Sequence, residues 1–191
     1  QNQYPLIKIT IHSMPSSLIM DSVNNGTIDI GIAYLFDSYP NLETSVLYYD
    51  SFDLVVSPHH HLASCTHTSI ENLRDIPFVM LTADTAARRF IDQVFGRLNI
   101  QPNIIMEVSS SEEVKRMVEL NLGASIISNL SAAKEIKQGT LCMVKVPELE
   151  IAHPVGVVYK SGRYINTAMQ QLLKDLKGMS ETEFLGDDRR L

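Results

Sequence analysis

Two spacings of apolar residues alternate along the chain. Short, dense runs at 6–11, 28–33, 46–49, 52–57, 78–81, 104–108, 124–127, 141–146 and 155–159 predict strands. Between them apolar residues recur every three or four positions, which predicts helices. The clearest lies at 85–98, where Phe90, Ile91, Val94, Phe95 and Leu98 share one face. Another is opened by Pro15-Ser16-Ser17 and closed by the turn signal Asn24-Asn25-Gly26. A third starts at Ser109-Ser110-Ser111 with Glu112 and Glu113 behind it, carries Val114, Met117, Val118 and Leu120, and stops at Gly123. Serine hydroxyls cap free N–H groups and early carboxylates suit the helix dipole, so this start is strong. Helices at 132–138, ended by Gly139, and 166–177 complete the set, with one helical turn at 69–73.

The first strand, helix and second strand follow through short loops. That order favours a parallel pair with a right-handed crossover. The remaining order predicts two α/β units, the second inserted into the first, because the closing strand and helix otherwise lack partners. The polar stretches 59–68 and 147–154 read as the crossings between them. Lobe I is then 1–57 plus 151–191 and lobe II is 58–150, and a cleft between two such lobes is a natural ligand site. The polar residues after Gly178 read as a frayed tail.

Composition narrows the classes. Of 191 residues, 45% are apolar and 20% charged, a globular balance that excludes wholesale disorder. The net charge is −6, so the chain lacks the basic character with which a nucleic-acid binder grips phosphates. No apolar run approaches the ~20 residues of a membrane span. Cys65 and Cys142 stand in no metal-ligand or redox spacing and fit a reducing compartment. The chain begins at Gln1, so the lack of a signal peptide says nothing about export. There is no Gly-x-Ser-x-Gly and no Gly-rich phosphate loop, and no enzyme is expected. His59, His60, His61 and His67 lack a Cys or carboxylate at ligand spacing. They read as an exposed loop, and no metal or other cofactor is expected.

Several segments come in a telling order. They are Tyr4-Pro5-Leu6-Ile7-Lys8-Ile9, Gly26-Thr27-Ile28-Asp29-Ile30-Gly31-Ile32-Ala33, and the run from Phe52 to Pro58 with His60-His61-Leu62-Ala63. Ile70-Glu71-Asn72-Leu73 then precedes Pro77-Phe78, Arg88 precedes Asp92 and Phe95, and an apolar run crosses Gly123 from Glu119 to Ser128. Over residues 4–178 the chain resembles the effector-binding domain of bacterial LysR-type transcriptional regulators. It departs from the family at His60-His61, where Pro is usual. No stretch matches the family's DNA-binding helix-turn-helix, and the family's first strand and helix have no counterpart ahead of Tyr4. The segment from Glu119 to Leu141 resembles regulators of carbon-fixation genes.

The resemblance implies an α/β fold of two Rossmann-like lobes joined by two crossover segments, periplasmic-binding-protein-like (type 2), with a small effector between the lobes. It implies a ligand-sensing regulatory domain, cytoplasmic, paired as a homodimer or within a tetramer of the full-length protein. DNA would be touched only through the helix-turn-helix domain. In the family Asp29 is a structural signature. The alternative is a solute-binding protein of a transporter, which shares the fold.

Candidate effector contacts are hydroxyls and N–H groups at helix starts, which together seat anions. Ser16 and Ser17 follow the Tyr-Pro strand, where the family often touches its effector, and Ser13 lies on the same loop. Plain N-capping is the competing reading. Thr82 and Thr85 lie where a strand feeds a helix, a ligand-facing place in a doubly wound sheet. Arg88 behind them can bind a carboxylate bidentately, or serve a salt bridge. Asp84 reads as a cap. Ser109, Ser110 and Ser128 are further candidates, weighed against capping for the first two and a turn for the last. These groups lean towards a small anionic metabolite.

Overall fold

The computed structural model describes residues 7–36, 38–149 and 152–179. In chain order the elements are α1 (Ser16–Asn24), β1 (Gly31–Tyr34), β2 (Leu42–Asp50), β3 (Phe52–Val56), β4 (Pro77–Leu81), α2 (Ala86–Arg97) and β5 (Asn103–Val108). They continue with α3 (Ser111–Glu119), β6 (Ser125–Ser128), α4 (Asn129–Gln138), β7 (Cys142–Val144), β8 (His153–Lys160) and α5 (Thr167–Gly178). Two units are formed, one from 1–49 and 154–191, the other from 50–153.

The second unit is built around β3. All five of its residues are buried, as expected of a strand covered on both faces. It pairs antiparallel with β6, from Phe52 opposite Ser128 to Val55 opposite Ser125. On its other side it pairs antiparallel with β7, Leu54 facing Val144. β4 runs parallel to β5 and is tied to the start of β6 by a bridge between Phe78 and Ala124. Val114 and Val118 of α3 close over Val55 and Ile127, with Ala132 of α4 and Leu141. The 3.6-residue spacing read in α3 is the spacing that delivers those two valines to the sheet.

The first unit has a three-stranded sheet in the order β1-β8-β2. α1 packs Met20 and Val23 against Ala33, Leu42 and Val158. Met169 and Leu173 of α5 pack on Val157. Gly31 is required where α1 crosses the sheet, because a Cβ there would collide with side-chain carbons of Ile19 and Val158.

Three expectations are corrected. Residues 7–11 are not a strand. Ile9 is 59% and Ile11 88% exposed, and β-rich residues without a ladder partner have nothing to hold them extended. The expected parallel pair is accordingly not formed. β1 starts at Gly31 and pairs antiparallel with β8, while Asp29 precedes it and pairs with Arg163. The boundary between units also moves. Because β3 pairs with β6 and β7, residues 50–57 belong to the second unit. The stretch 59–68 then lies within that unit, where Thr68 N–H donates to the Lys145 carbonyl at 2.8 Å. The chain passes between units at 49–50 and again at 153–154. Residues 150 and 151 of the other expected crossing, the Tyr4-Pro5 pair, and the tail after 179 lie outside the described residues.

Candidate functional site

The chemistry of each candidate follows from how its helix begins. α1 has Pro15 at its N-cap and no side-chain cap. The other α-helices are closed by their own chemistry, through Thr85, Ser110, Ser128 and Asn166. Ser16 opens α1, and its Oγ accepts the Tyr34 N–H at 3.3 Å, fastening the helix to β1. Ser17, half-buried on the first turn, has no hydrogen-bond partner among the described residues. Ser13 is exposed in the irregular stretch ahead of the helix. Its first turn carries no acidic residue, so no internal carboxylate takes the free N–H groups.

The Thr82–Arg88 loop is organised inwards. Thr82 N–H donates to the Val108 carbonyl at 3.0 Å, and its carbonyl accepts Thr85 N–H and Thr85 Oγ1 at 3.1 and 3.0 Å. Thr85 Oγ1 also accepts the Arg88 N–H at 3.3 Å, capping α2. Arg88 is 7% exposed. Its Nε donates to Asp92 at 2.8 Å, and its Nη1 donates to Glu107 at 2.6 Å and to the Leu81 carbonyl at 2.7 Å. Burial opposes its charge, but the bonds to Asp92 and Glu107 outweigh burial and hold the pKa above the usual arginine value. Arg88 is a clamp between α2 and the β4–β5 pair, the salt-bridge reading of this residue. Asp84 does not cap α2; its carbonyl accepts Arg89 Nη1 at 2.7 Å.

At α3 a capping box is complete. Ser110 Oγ accepts the Glu113 N–H at 3.3 Å, and Glu113 Oε2 accepts the Ser110 N–H and both Ser109 and Ser110 hydroxyls at 3.0 Å. These bonds, the Ser110 hydroxyl first, hold the exposed Glu113 carboxyl below its usual range. Glu113 thus occupies the place at this helix start where a ligand anion would sit.

Ser128 is also committed. Its hydroxyl donates to Asp50 Oδ2 at 2.5 Å and accepts the Ser131 N–H at 3.2 Å. Beside it Asp53, 2% exposed, accepts Lys145 Nζ at 2.6 Å and Asn129 Nδ2 at 2.8 Å. This buried polar group at the β3–β6–β7 junction escapes a reading by spacing. The signal is a pair of aspartates in Asp50-Ser51-Phe52-Asp53 between two apolar runs, which marks buried carboxylates without naming their partners.

A cavity of about 330 Å³ lies within the second unit, lined by Ser57, His59, Arg116, Glu119 and Thr140 among others. Arg116 Nη1 pairs there with Glu119 at 3.2 Å, and Ser57 Oγ accepts the His59 N–H at 3.3 Å, so its polar groups serve one another. Among the described residues no group of three or more His, Cys, Asp or Glu can hold a metal. No described helix is long and apolar enough to cross a membrane. Cys65 and Cys142 are free thiols.

Known proteins place this geometry. Among solved structures, the CcmR regulatory domain of Synechocystis in complex with 2-PG superposes with a TM-score of 0.85 at 20% identity, covering 92% of this chain and 85% of that one. The effector binding domain of QuiR in complex with shikimate gives 0.75 at 21%, covering 86% and 77%. The fold is therefore the α/β, periplasmic-binding-protein-like fold of these domains. Curated relatives named probable RuBisCO transcriptional regulator, from Phaeodactylum tricornutum and Nostoc sp., are 26% and 25% identical over 91% and 92% of this chain. The chain spans 59% and 54% of their lengths. Residues 1–180 match the family described as the LysR substrate binding domain. The chain belongs to the LysR substrate binding domain family.

Proposed function

We propose that this chain is the ligand-sensing domain of a LysR-type DNA-binding transcriptional regulator, that it is not an enzyme, and that it acts in the cytoplasm. Its ligand is a small anion. The observation that carries this is the open start of α1, which has no side-chain cap and where the Ser17 hydroxyl has no partner among the described residues. An anion there gains the positive end of the helix dipole and charge-assisted hydrogen bonds together. Ser16, already bonded to Tyr34, orients that turn. Thr82, Thr85, Ser109, Ser110 and Ser128 serve first as folding contacts, and Arg88 as a clamp. The CcmR and QuiR domains, solved with 2-PG and shikimate, lend support, since both ligands are small anions.

The domain acts as a homodimer, and ligand binding favours one arrangement of the pair over another. The support is β5. It is paired to β4, none of its six residues is buried, and Ile105 is 51% exposed. An edge strand of this kind offers unpaired backbone groups and apolar side chains to a second copy. DNA is reached through a helix-turn-helix domain elsewhere in the full-length protein.

Calorimetry with 2-PG, shikimate and inorganic phosphate tests the reading. Wild type is expected to bind at least one of them, and Ser17→Ala to weaken that binding about tenfold, the loss of one hydrogen bond to a charged group. Unchanged affinity in the variant, or binding of neutral compounds alone, overturns it.

A further inference from the structure

The turn after α1 holds a pair of residues that the ligand reading does not use. Asn25 is followed by Gly26, the chain's only Asn-Gly. Every other asparagine precedes Gln, Asn, Leu, Ile or Thr. The difference is chemical. The backbone nitrogen after an asparagine can attack that asparagine's own side-chain amide carbon and close a five-membered ring, which makes asparagine a labile residue. A side chain on the attacking residue crowds the ring, and glycine has none. The two reacting atoms are neighbours by connectivity, so no distant partner is needed.

The fold leaves this pair open. Asn25 is the C-cap of α1. Asn25, Gly26 and Thr27 are all exposed, and the Asn25 side chain makes no hydrogen bond among the described residues. The side chains of Asn72, Asn129 and Asn166, by contrast, are held by Thr68, Asp53 and the Met169 N–H. Gly26 has a φ of +76°, and no heavy atom lies within 4 Å of where a Cβ would stand. One side of the turn is therefore free for a ring to form. The Gly26 N–H donates to the Val23 carbonyl at 3.1 Å, a bond at a helix end, where fraying is easiest.

We propose that Asn25 is a site of spontaneous deamidation whose product releases the end of α1. The Gly26 nitrogen gives up its proton and bonds to the Asn25 side-chain carbon, and the side-chain nitrogen leaves as ammonia. The resulting succinimide adds water. Opening at one carbonyl gives aspartate; opening at the other gives isoaspartate, in which the backbone runs through the former side chain and gains a methylene. Nothing is oxidised or reduced. The end of α1 is closed by the Gly26 N–H bond to Val23 and by the Thr27 and Ile28 N–H bonds to the Ser22 carbonyl at 2.9 and 3.2 Å. The added methylene displaces all three donors. Either product also puts a carboxylate at the negative end of the helix dipole. Val23, whose carbonyl loses its donor, is one of the α1 residues buried against the first unit's sheet.

Two measurements on this chain test the proposal without any effector, so their outcome is separate from that of the ligand reading. The first is peptide mapping of wild type kept folded in mildly alkaline buffer, beside a sample kept unfolded in denaturant. Cleavage before Asp21 and Asp29 frees the peptide 21–28. In the folded sample this peptide is expected to gain the mass difference between a hydroxyl and an amino group, faster than the peptides carrying Asn99, Asn121 or Asn129. Part of the heavier peptide is expected to resist cleavage before residue 25, the mark of isoaspartate. Conversion only in denaturant, or no faster than at the other asparagines, overturns the proposal. The second is thermal melting of fresh and aged protein. Wild type is expected to melt lower once aged. Asn25→Gln, whose longer side chain would have to close a six-membered ring, is expected to melt alike fresh and aged. An aged wild type that has converted yet melts like the fresh protein contradicts the release of α1.

Discussion

Replacing Arg88 by methionine is expected to destabilise the fold by about 2–3 kcal/mol. The stem of the side chain still packs, but three contacts go at once: Asp92 at 2.8 Å, Glu107 at 2.6 Å and the Leu81 carbonyl at 2.7 Å. Breaking a fully buried pair costs more. Asp92 and Glu107 are 43% and 47% exposed, so water rehydrates their charges and limits the loss. In thermal melting a chain of this length is expected to drop by roughly 5–10 °C. A variant that melts like wild type while losing ligand binding would make Arg88 an effector contact and not a clamp.

Gly123→Ala is expected to cost a comparable amount, about 2–3 kcal/mol. A Cβ at this position lies 2.7 Å from the Pro77 carbonyl oxygen and 3.3 Å from the Pro77 carbonyl carbon. The obstacle is backbone and cannot swing aside as a side chain would. Relief requires β4 to part from the start of β6, at the expense of the Ala124 N–H bond to Pro77 at 2.8 Å and the Val79 N–H bond to Ala124 at 2.9 Å. Gly96→Ala is the control. A Cβ there meets nothing within 4 Å inside α2, and the better helix former is expected to stabilise by up to ~1 kcal/mol. Equal melting of the two variants would refute the close approach at Gly123.

What could be read from the residues alone was what local chemistry decides. The start of α3 was legible because Ser110 and Glu113 satisfy each other within four residues, whereas the cap of α2 was read at Asp84 and lies one residue on, at Thr85. The apolar runs of the second unit were legible because a strand covered on both faces is dense in apolar residues, as Leu54, Val55 and Val56 of β3 are. The run 6–11 misled because its composition suits a strand while pairing depends on a distant partner. The boundary near residue 50 misled for the same reason: β3 belongs to whichever unit holds β6 and β7, and no residue of β3 says which. At the candidate site, hydroxyls at helix starts were found readily, yet capping and ligand contact share one signature. Only the structure separates the capped starts at Thr85, Ser110 and Ser128 from the open one at Ser17. The Asp50–Ser128 bond joins residues 78 apart, beyond any spacing rule.

The central claim, that this domain senses a small anion, is tested most directly by a thermal-shift scan of the wild-type chain against small carboxylates, phosphates and neutral metabolites at millimolar concentration. A ligand at about 100 times its Kd stabilises the folded state by ~2.7 kcal/mol, which corresponds to roughly 5–10 °C here. The account predicts such a shift for at least one anion. A cooperatively melting protein that shifts only with neutral compounds, or with none of the panel, would contradict it.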